Sequence, residues 1–186
     1  MKKILFTAAL ALMAFGAAAQ NIACVNSQEL IYLCPEADAV RTKMEEATKL
    51  NQDAYLEMAQ EYEQKVNQYN NNKASWSTSI LKSKEQELAQ LEQRIQATAQ
   101  QMQAELQQME QDLYAPIMEK VRDTIQKLAN EGGYVYVFDK ASIIYVDEAK
   151  AADITAKARK ALNIPADRTI EALQKELAAK QQAAQK

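Results

Sequence analysis

The chain has 186 residues with a formal net charge of -3, no histidine, three glycines and two cysteines. Without an imidazole there is no ready base, proton shuttle or nitrogen metal ligand, and so few glycines leave no Gly-rich loop to cradle a phosphate. Carboxylates are plentiful, but nothing in their spacing supplies an orienting partner, so the sequence reads as a non-enzyme that needs no cofactor or metal and has no nucleic-acid-binding character.

Met1-Lys2-Lys3 is a basic start, Ile4 to Phe15 is an apolar run too short to span a bilayer comfortably, and Ala17-Ala18-Ala19 forms an A-x-A cleavage site. Residues 1–19 are therefore expected to be a signal peptide that exports the protein and is removed before Gln20. Removal takes Lys2 and Lys3 with it and makes the mature chain more acidic. Ile22 to Asn26 is short, apolar and β-branched and predicts a strand, followed by a short helical turn capped by Ser27. Cys24 and Cys34 flank this turn. In an oxidising compartment they can form a disulfide, but they also fit as two packed thiols. Cys24 as a lipidated cysteine is disfavoured, because Asn21-Ile22-Ala23 lacks the leucine such a site wants.

Pro35 and Glu36 open a long helix, since proline is tolerated in a first turn and acids suit its positive end. Helical spacing of Val40, Met44, Ala47, Leu50 or Ala54, Tyr55, Met58, Tyr62, Val66 and Tyr69 carries it to Asn70-Asn71-Asn72. A second helix follows from about Ile80. Leu88, Leu91, Ile95, Ala99, Met102, Leu106, Met109 and Leu113 recur every three or four residues among Gln, Glu and Lys. Running to Ala115, it would be about 54 Å long at roughly 1.5 Å per residue. Two such helices joined by a short polar turn make an αα-hairpin. Pro116 is expected to kink the return helix, and is a hinge candidate. The helix resumes through Ile117, Val121, Ile125 and Leu128 and stops at Gly132-Gly133.

Tyr134 to Phe138 and Ile143 to Val146 read as the two strands of a β-hairpin turning at Asp139 to Ser142. Asp153 caps a helix to about Leu162, which Asn163-Ile164-Pro165 ends. Asp167 caps a last weak helix through Ile170, Leu173 and Leu177, with a fraying tail. The expected fold is thus α+β and mostly helical: a long antiparallel hairpin on a small three-stranded body. Residues 20–35 and 115–164 form the association body, 36–114 the hairpin with its tip at about 70–79, and 165–186 a C-terminal helical extension. So small a body buries little surface alone, and its strands are apolar on both faces. Ile22, Val25, Val135, Val137 and Ile144 are therefore expected to meet copies of themselves.

These features together resemble the Skp (OmpH-like) family of periplasmic chaperones. The likeness rests on the leader, the strand Ile22 to Asn26, the Gln-rich hairpin, Ala115-Pro116-Ile117-Met118-Glu119-Lys120-Val121, Gly133-Tyr134-Val135-Tyr136-Val137-Phe138-Asp139 and Asp153-Ile154-Thr155. It implies a homotrimer whose strands form a central barrel and whose three hairpins surround a cavity. Unfolded outer-membrane proteins are held there without ATP, in the periplasm. The chain departs from the family pattern in being acidic and in extending past Pro165.

On the hairpin, Tyr55, Met58, Tyr62 and Tyr69 read first as a plain helical seam, and alternatively as adaptable contact residues for an unfolded client. Trp76 at the tip suits a client or lipid boundary, or seals the hairpin end against Ile80 and Leu81. Lys65, Lys73, Lys82 and Lys84 lie where no acid intervenes between Glu63 and Glu85. They form either a basic rim for transient contact with an anionic membrane surface or an ordinary solvated turn. The competing reading of the whole is a structural or adaptor coiled-coil protein of the envelope with one fixed folded partner.

Overall fold

A computed structural model of the protein describes residues 21–147 and 149–184, so the predicted signal peptide lies outside the described residues. In chain order the elements are β1 (Ile22–Val25), α1 (Ser27–Leu33), α2 (Glu36–Asn72), α3 (Thr78–Gly132), β2 (Tyr136–Asp139), a 3-10 turn (Lys140–Ser142), β3 (Ala151–Asp153), α4 (Thr155–Ala161) and α5 (Ile170–Ala184). They fall into two units, one made of the chain up to Ala37 and again from Ile117, the other of Asp38–Pro116.

In the first unit three strands form a sheet in the order β2-β1-β3. Both outer strands run parallel to β1, with Ile22 opposite Tyr136 on one side and Ala151 on the other. A central parallel strand is covered on both faces, which is why Ile-Ala-Cys-Val suits this place and why Ala23, Cys24 and Val25 are buried. The expected β-hairpin is not formed. Ile143 to Val146 is outside any strand, and the third strand is Ala151–Asp153. The chain leaves β2 through a 3-10 turn capped by Asp139 rather than a tight hairpin turn, and the third strand forms only where Ala151–Asp153 pairs parallel with the remaining edge of β1.

Beneath the sheet Leu30, Leu33, Cys34, Ala37, Ile117, Val121, Ile154, Ala158, Leu162, Ile164 and Leu173 are buried. Each leucine or isoleucine so placed is worth about 1.5–3 kcal/mol. Helix α1 packs on α4 and α5, so the extension after Pro165 belongs to this core through Leu173. Arg159 ties it down: its guanidinium pairs with Glu29 and donates to the carbonyls of Pro165 (2.8 Å) and Arg168 (2.6 Å).

Caps set the helix limits. Asn26, not Ser27, caps α1, its Oδ1 accepting the Glu29 amide at 3.0 Å. Ser27 instead donates to Asp139, joining α1 to the end of β2. Helix α3 ends with Gly133 at φ 63, the amides of Gly133 and Tyr134 donating to the carbonyls of Asn130 and Ala129. Helix α4 ends the same way with Asn163 at φ 58, its amide and that of Ile164 donating to Lys160 and Arg159. Both are Schellman closures built on left-handed residues. Asp153 accepts the Thr155 amide (2.9 Å) at the start of α4. At α5 it is Thr169, not Asp167, whose hydroxyl accepts the Ala172 amide (3.1 Å).

The second unit is an antiparallel helix pair. Lys65 on α2 meets Glu87 on α3, and the Tyr69 hydroxyl donates to Glu85 at 2.6 Å, so numbers rise on one arm as they fall on the other. Residues 73–77 make the turn, closed by the Lys73 amide on the Tyr69 carbonyl and the Leu81 amide on that of Ser77, both 2.9 Å. Met44, Ala47, Ala54, Met58, Tyr62, Val66 and Tyr69 of α2 are half-buried, as are Leu81, Leu88, Ile95, Met102, Leu106 and Leu113 of α3, while Leu91 is buried. Pro116 lies inside α3, which continues through it for 55 residues in all, about 82 Å of axis.

Candidate functional site

The helix pair leaves apolar surface uncovered where α2 carries Leu50 (69% exposed), Tyr55 (43%) and Leu56 (55%). Two clefts lie beside Tyr55, and Leu50 lines neither. The larger, about 600 Å³, is lined by Thr48, Asn51, Gln52, Asp53, Tyr55 and Leu56 of α2 and by Ala99, Met102, Gln103 and Leu106 of α3. The smaller, about 260 Å³, is lined by Tyr55, Ala59 and Tyr62 with Glu92, Ile95 and Gln96. Tyr55 belongs to both. Of the tyrosines and methionine singled out in the sequence, Tyr55 and Tyr62 line this surface, while Met58 and Tyr69 are half-buried in the seam. The sequence missed Leu56 and placed Leu50 in the seam. Helical phase supplies the missing signal for Leu56: Ala47, Ala54 and Met58 share a side and Leu56 falls opposite it, whereas Leu50 stands three and four residues from Ala47 and Ala54 and its exposure is not announced by phase.

At the turn, Trp76 meets Tyr69 edge to face with ring centroids 6.1 Å apart. It is half-buried; of the two residues named for the sealing alternative, Ile80 is exposed and Leu81 half-buried. The four lysines are not equivalent. Lys65 and Lys84 both pair with Glu87; hydrogen bonds from Lys65 and then Lys84 hold its carboxyl down to about 2. The same contact raises the Lys65 ammonium. The Tyr69 hydroxyl is likewise pushed up by its bond to Glu85. Lys73 donates to the Asn70 side chain at 3.3 Å, and Lys82 forms no ion pair among the described residues. Acids just outside the lysine-bearing stretch thus neutralise half of the predicted rim.

In the sheet unit Cys24 and Cys34 are both buried and are not joined by a disulfide. The Cys34 thiol donates to Glu36 at 2.8 Å; burial, then the bond to Glu36, push it up to about 11. Val25 is covered within its own chain (3% exposed) and offers no face to another copy. Ile22 and Val137 are half-buried, while Val135 and Ile144 are exposed, Ile144 fully (106%). Ile144 and Tyr145 border a cleft of about 600 Å³ with Ile22, Cys24, Phe138 and Ile143. Tyr136 and Phe138 stack at 6.0 Å. Among the described residues no group of three or more His, Cys, Asp or Glu is placed to hold a metal ion, and no helix is long and apolar enough to cross a membrane.

Residues 21–162 match the sequence profile of the outer membrane protein (OmpH-like) family. The chain belongs to this family. OmpH-like proteins are chaperones as a class, in general without enzymatic activity. A crystal structure of an OmpH-like candidate outer membrane chaperone from Caulobacter crescentus CB15 superposes on this OmpH-like chain with a TM-score of 0.65 at 16% identity. The match covers 80% of this chain and 86% of the other, a likeness of fold. No individually curated protein matches the sequence significantly.

Proposed function

We propose that this OmpH-like protein is an ATP-independent holdase of the periplasm, exported by its signal peptide, which keeps unfolded outer-membrane proteins soluble between the helical hairpins of a homotrimer. The observation that carries the reading is the exposed apolar surface at Tyr55 and Leu56, which lines a cleft of about 600 Å³ between two helices whose seam is itself mostly half-buried. Such surface on a soluble chain marks a place that meets other polypeptides, and tyrosine, methionine and leucine give contacts that tolerate many sequences. Capture runs mainly through these groups, because two of the four turn lysines already hold Glu87.

The trimer is supported by a second uncovered patch, on the sheet unit, where Ile144 and Tyr145 border a cleft with the exposed Phe138, itself stacked on Tyr136. Neighbouring copies are the partner that a small β body of this family most simply provides. The test is suppression of aggregation. The mature protein, diluted together with several unrelated urea-unfolded β-barrel proteins, should keep each of them soluble at roughly one trimer per client. Tyr55→Ala should weaken that protection. Protection of none of them would defeat the holdase reading in favour of an adaptor with a single folded partner.

A further inference from the structure

The two clefts on the helix pair lie end to end. Thr48, Gln52, Tyr55, Ala59 and Tyr62 follow one another at three or four residues along α2, and Leu106, Met102, Ala99, Ile95 and Glu92 do so along α3. They therefore form one groove, joined at Tyr55. From Thr48 to Tyr62 it measures about 21 Å at roughly 1.5 Å per helical residue, the span of about six residues of extended chain.

Its lining has three chemistries. Tyr55, Tyr62, Ile95, Met102 and Leu106 supply apolar walls. Asn51, Gln52, Gln96 and Gln103 supply amides that both donate and accept, as the edge of an extended backbone requires. The charges are Asp53 on the larger cleft and Glu92 on the smaller, with no lysine or arginine. The surroundings have the same sign. Residues 45–63 carry Glu45, Glu46, Asp53, Glu57, Glu61 and Glu63 against Lys49, and residues 92–112 carry Glu92, Glu105, Glu110 and Asp112 against Arg94. All ten acids are exposed.

We propose that this groove seats an extended polypeptide segment that alternates apolar side chains with lysine or arginine, so that the chaperone selects cationic rather than acidic stretches of its clients. The apolar side chains enter the clefts on either side of Tyr55, the backbone edge meets the amides, and the cationic side chains, which start on the solvent side, bend back on their long stems to the exposed Asp53 and Glu92 at the rim. This rests on the holdase reading and deepens it, naming which client segments bind where.

The test uses the mature protein and three fluorescent peptides in which leucine and tyrosine alternate with lysine, serine or glutamate. The lysine peptide should bind about tenfold tighter than the glutamate peptide at low ionic strength. High salt should erase most of the difference, since exposed charges are screened. Asp53→Asn with Glu92→Gln, both on exposed positions, should cut the ratio roughly threefold, the scale of exposed charge pairs. A photo-crosslinker at the position of Tyr55 should label the lysine peptide, and one at the position of Gln64, two and a half turns further on, should not. Equal affinity for the lysine and glutamate peptides, or labelling from Gln64 alone, overturns the groove assignment while aggregation protection keeps the holdase reading standing. Crosslinking between two copies from the Tyr55 position without peptide also overturns it, giving the groove to a second chain. Strong preference for the lysine peptide with no protection of barrel proteins supports the groove and defeats the holdase reading instead.

Discussion

At the start of α2 two neighbouring side chains meet a third from a distant part of the sequence. The Glu36 carboxylate accepts from the Cys34 thiol and pairs with Lys120, 84 residues away. The Cys34 bond, then that of Lys120, lower its pKa from 4.5 to about 2. A carboxyl depressed on folding adds stability that is complete above about pH 4.5 and disappears as the pH falls through about 2. The full shift would be worth about 3 kcal/mol. The Glu36 side chain is 49% exposed, however, and solvent screening reduces this to about 1 kcal/mol. Glu36→Gln should therefore lower urea stability by about 1 kcal/mol at pH 7, with the gap closing between pH 4.5 and 2. A gap that stays constant over that range would remove Glu36 from the stabilising network. Half of this arrangement was legible in the sequence. An acid in a first turn announces itself, whereas Lys120 depends on where α3 passes, which no local pattern encodes. The cysteines mislead for the same reason: spacing permits a bridge, but burial of each thiol in its own setting is a property of the packed core.

Among the elements, the helix ends give the sharpest case. Gly133 holds φ 63 at the close of α3, and a Cβ built there meets nothing within 4 Å. Gly133→Ala therefore tests backbone conformation alone, and the left-handed region costs an L-residue about 1–2 kcal/mol. Thermal or urea unfolding should show that loss. Gly132→Ala poses a different problem, because its Cβ would fall 2.2 Å from the Tyr134 ring, and a ring can swing aside. An unchanged stability for Gly133→Ala would mean that the closure does not hold the approach to β2 in place. The stops at Gly133 and at Asn163 before Pro165 could be read from the sequence because these residues have local causes. So could both long helices, since thirty or more residues of regular spacing outweigh any single deviation. The strands could not. Ile143 to Val146 has the β-branched content of a strand and joins none, while Ala151–Asp153 has none of that content and pairs with β1. β-propensity measures fit to a pleated, half-buried surface, and pairing is decided by which segment reaches the free edge of β1. Ala151–Asp153 reaches it. The groove on the helix pair was legible in its tyrosines but not in its outline, because the register of the two arms is set by the turn at residues 73–77.

For the molecule as a whole the proposed mechanism needs the proposed trimer, and Ile144 tests it. Its side chain is fully exposed in the single chain, beside the similarly exposed Tyr145. A substitution at such a site changes the stability of the chain itself by no more than about 0.5 kcal/mol. If three copies bury it, Ile144→Asp places an unpaired carboxylate in an apolar contact, and breaking or leaving unpaired a buried charge costs about 3–5 kcal/mol. With three equivalent contacts in a closed ring that penalty is met three times. The unmodified protein should sediment as a trimer at micromolar concentration and the variant as a monomer, while far-ultraviolet circular dichroism stays helical. The variant should also lose protection of unfolded clients, because separate hairpins cannot surround one. A variant that keeps the size of the parent would take Ile144 out of the interface, and a monomeric parent would end the enclosure mechanism. The comparison is informative because the two scales separate here: a residue that does nothing for its own chain can move the molecule only through another copy.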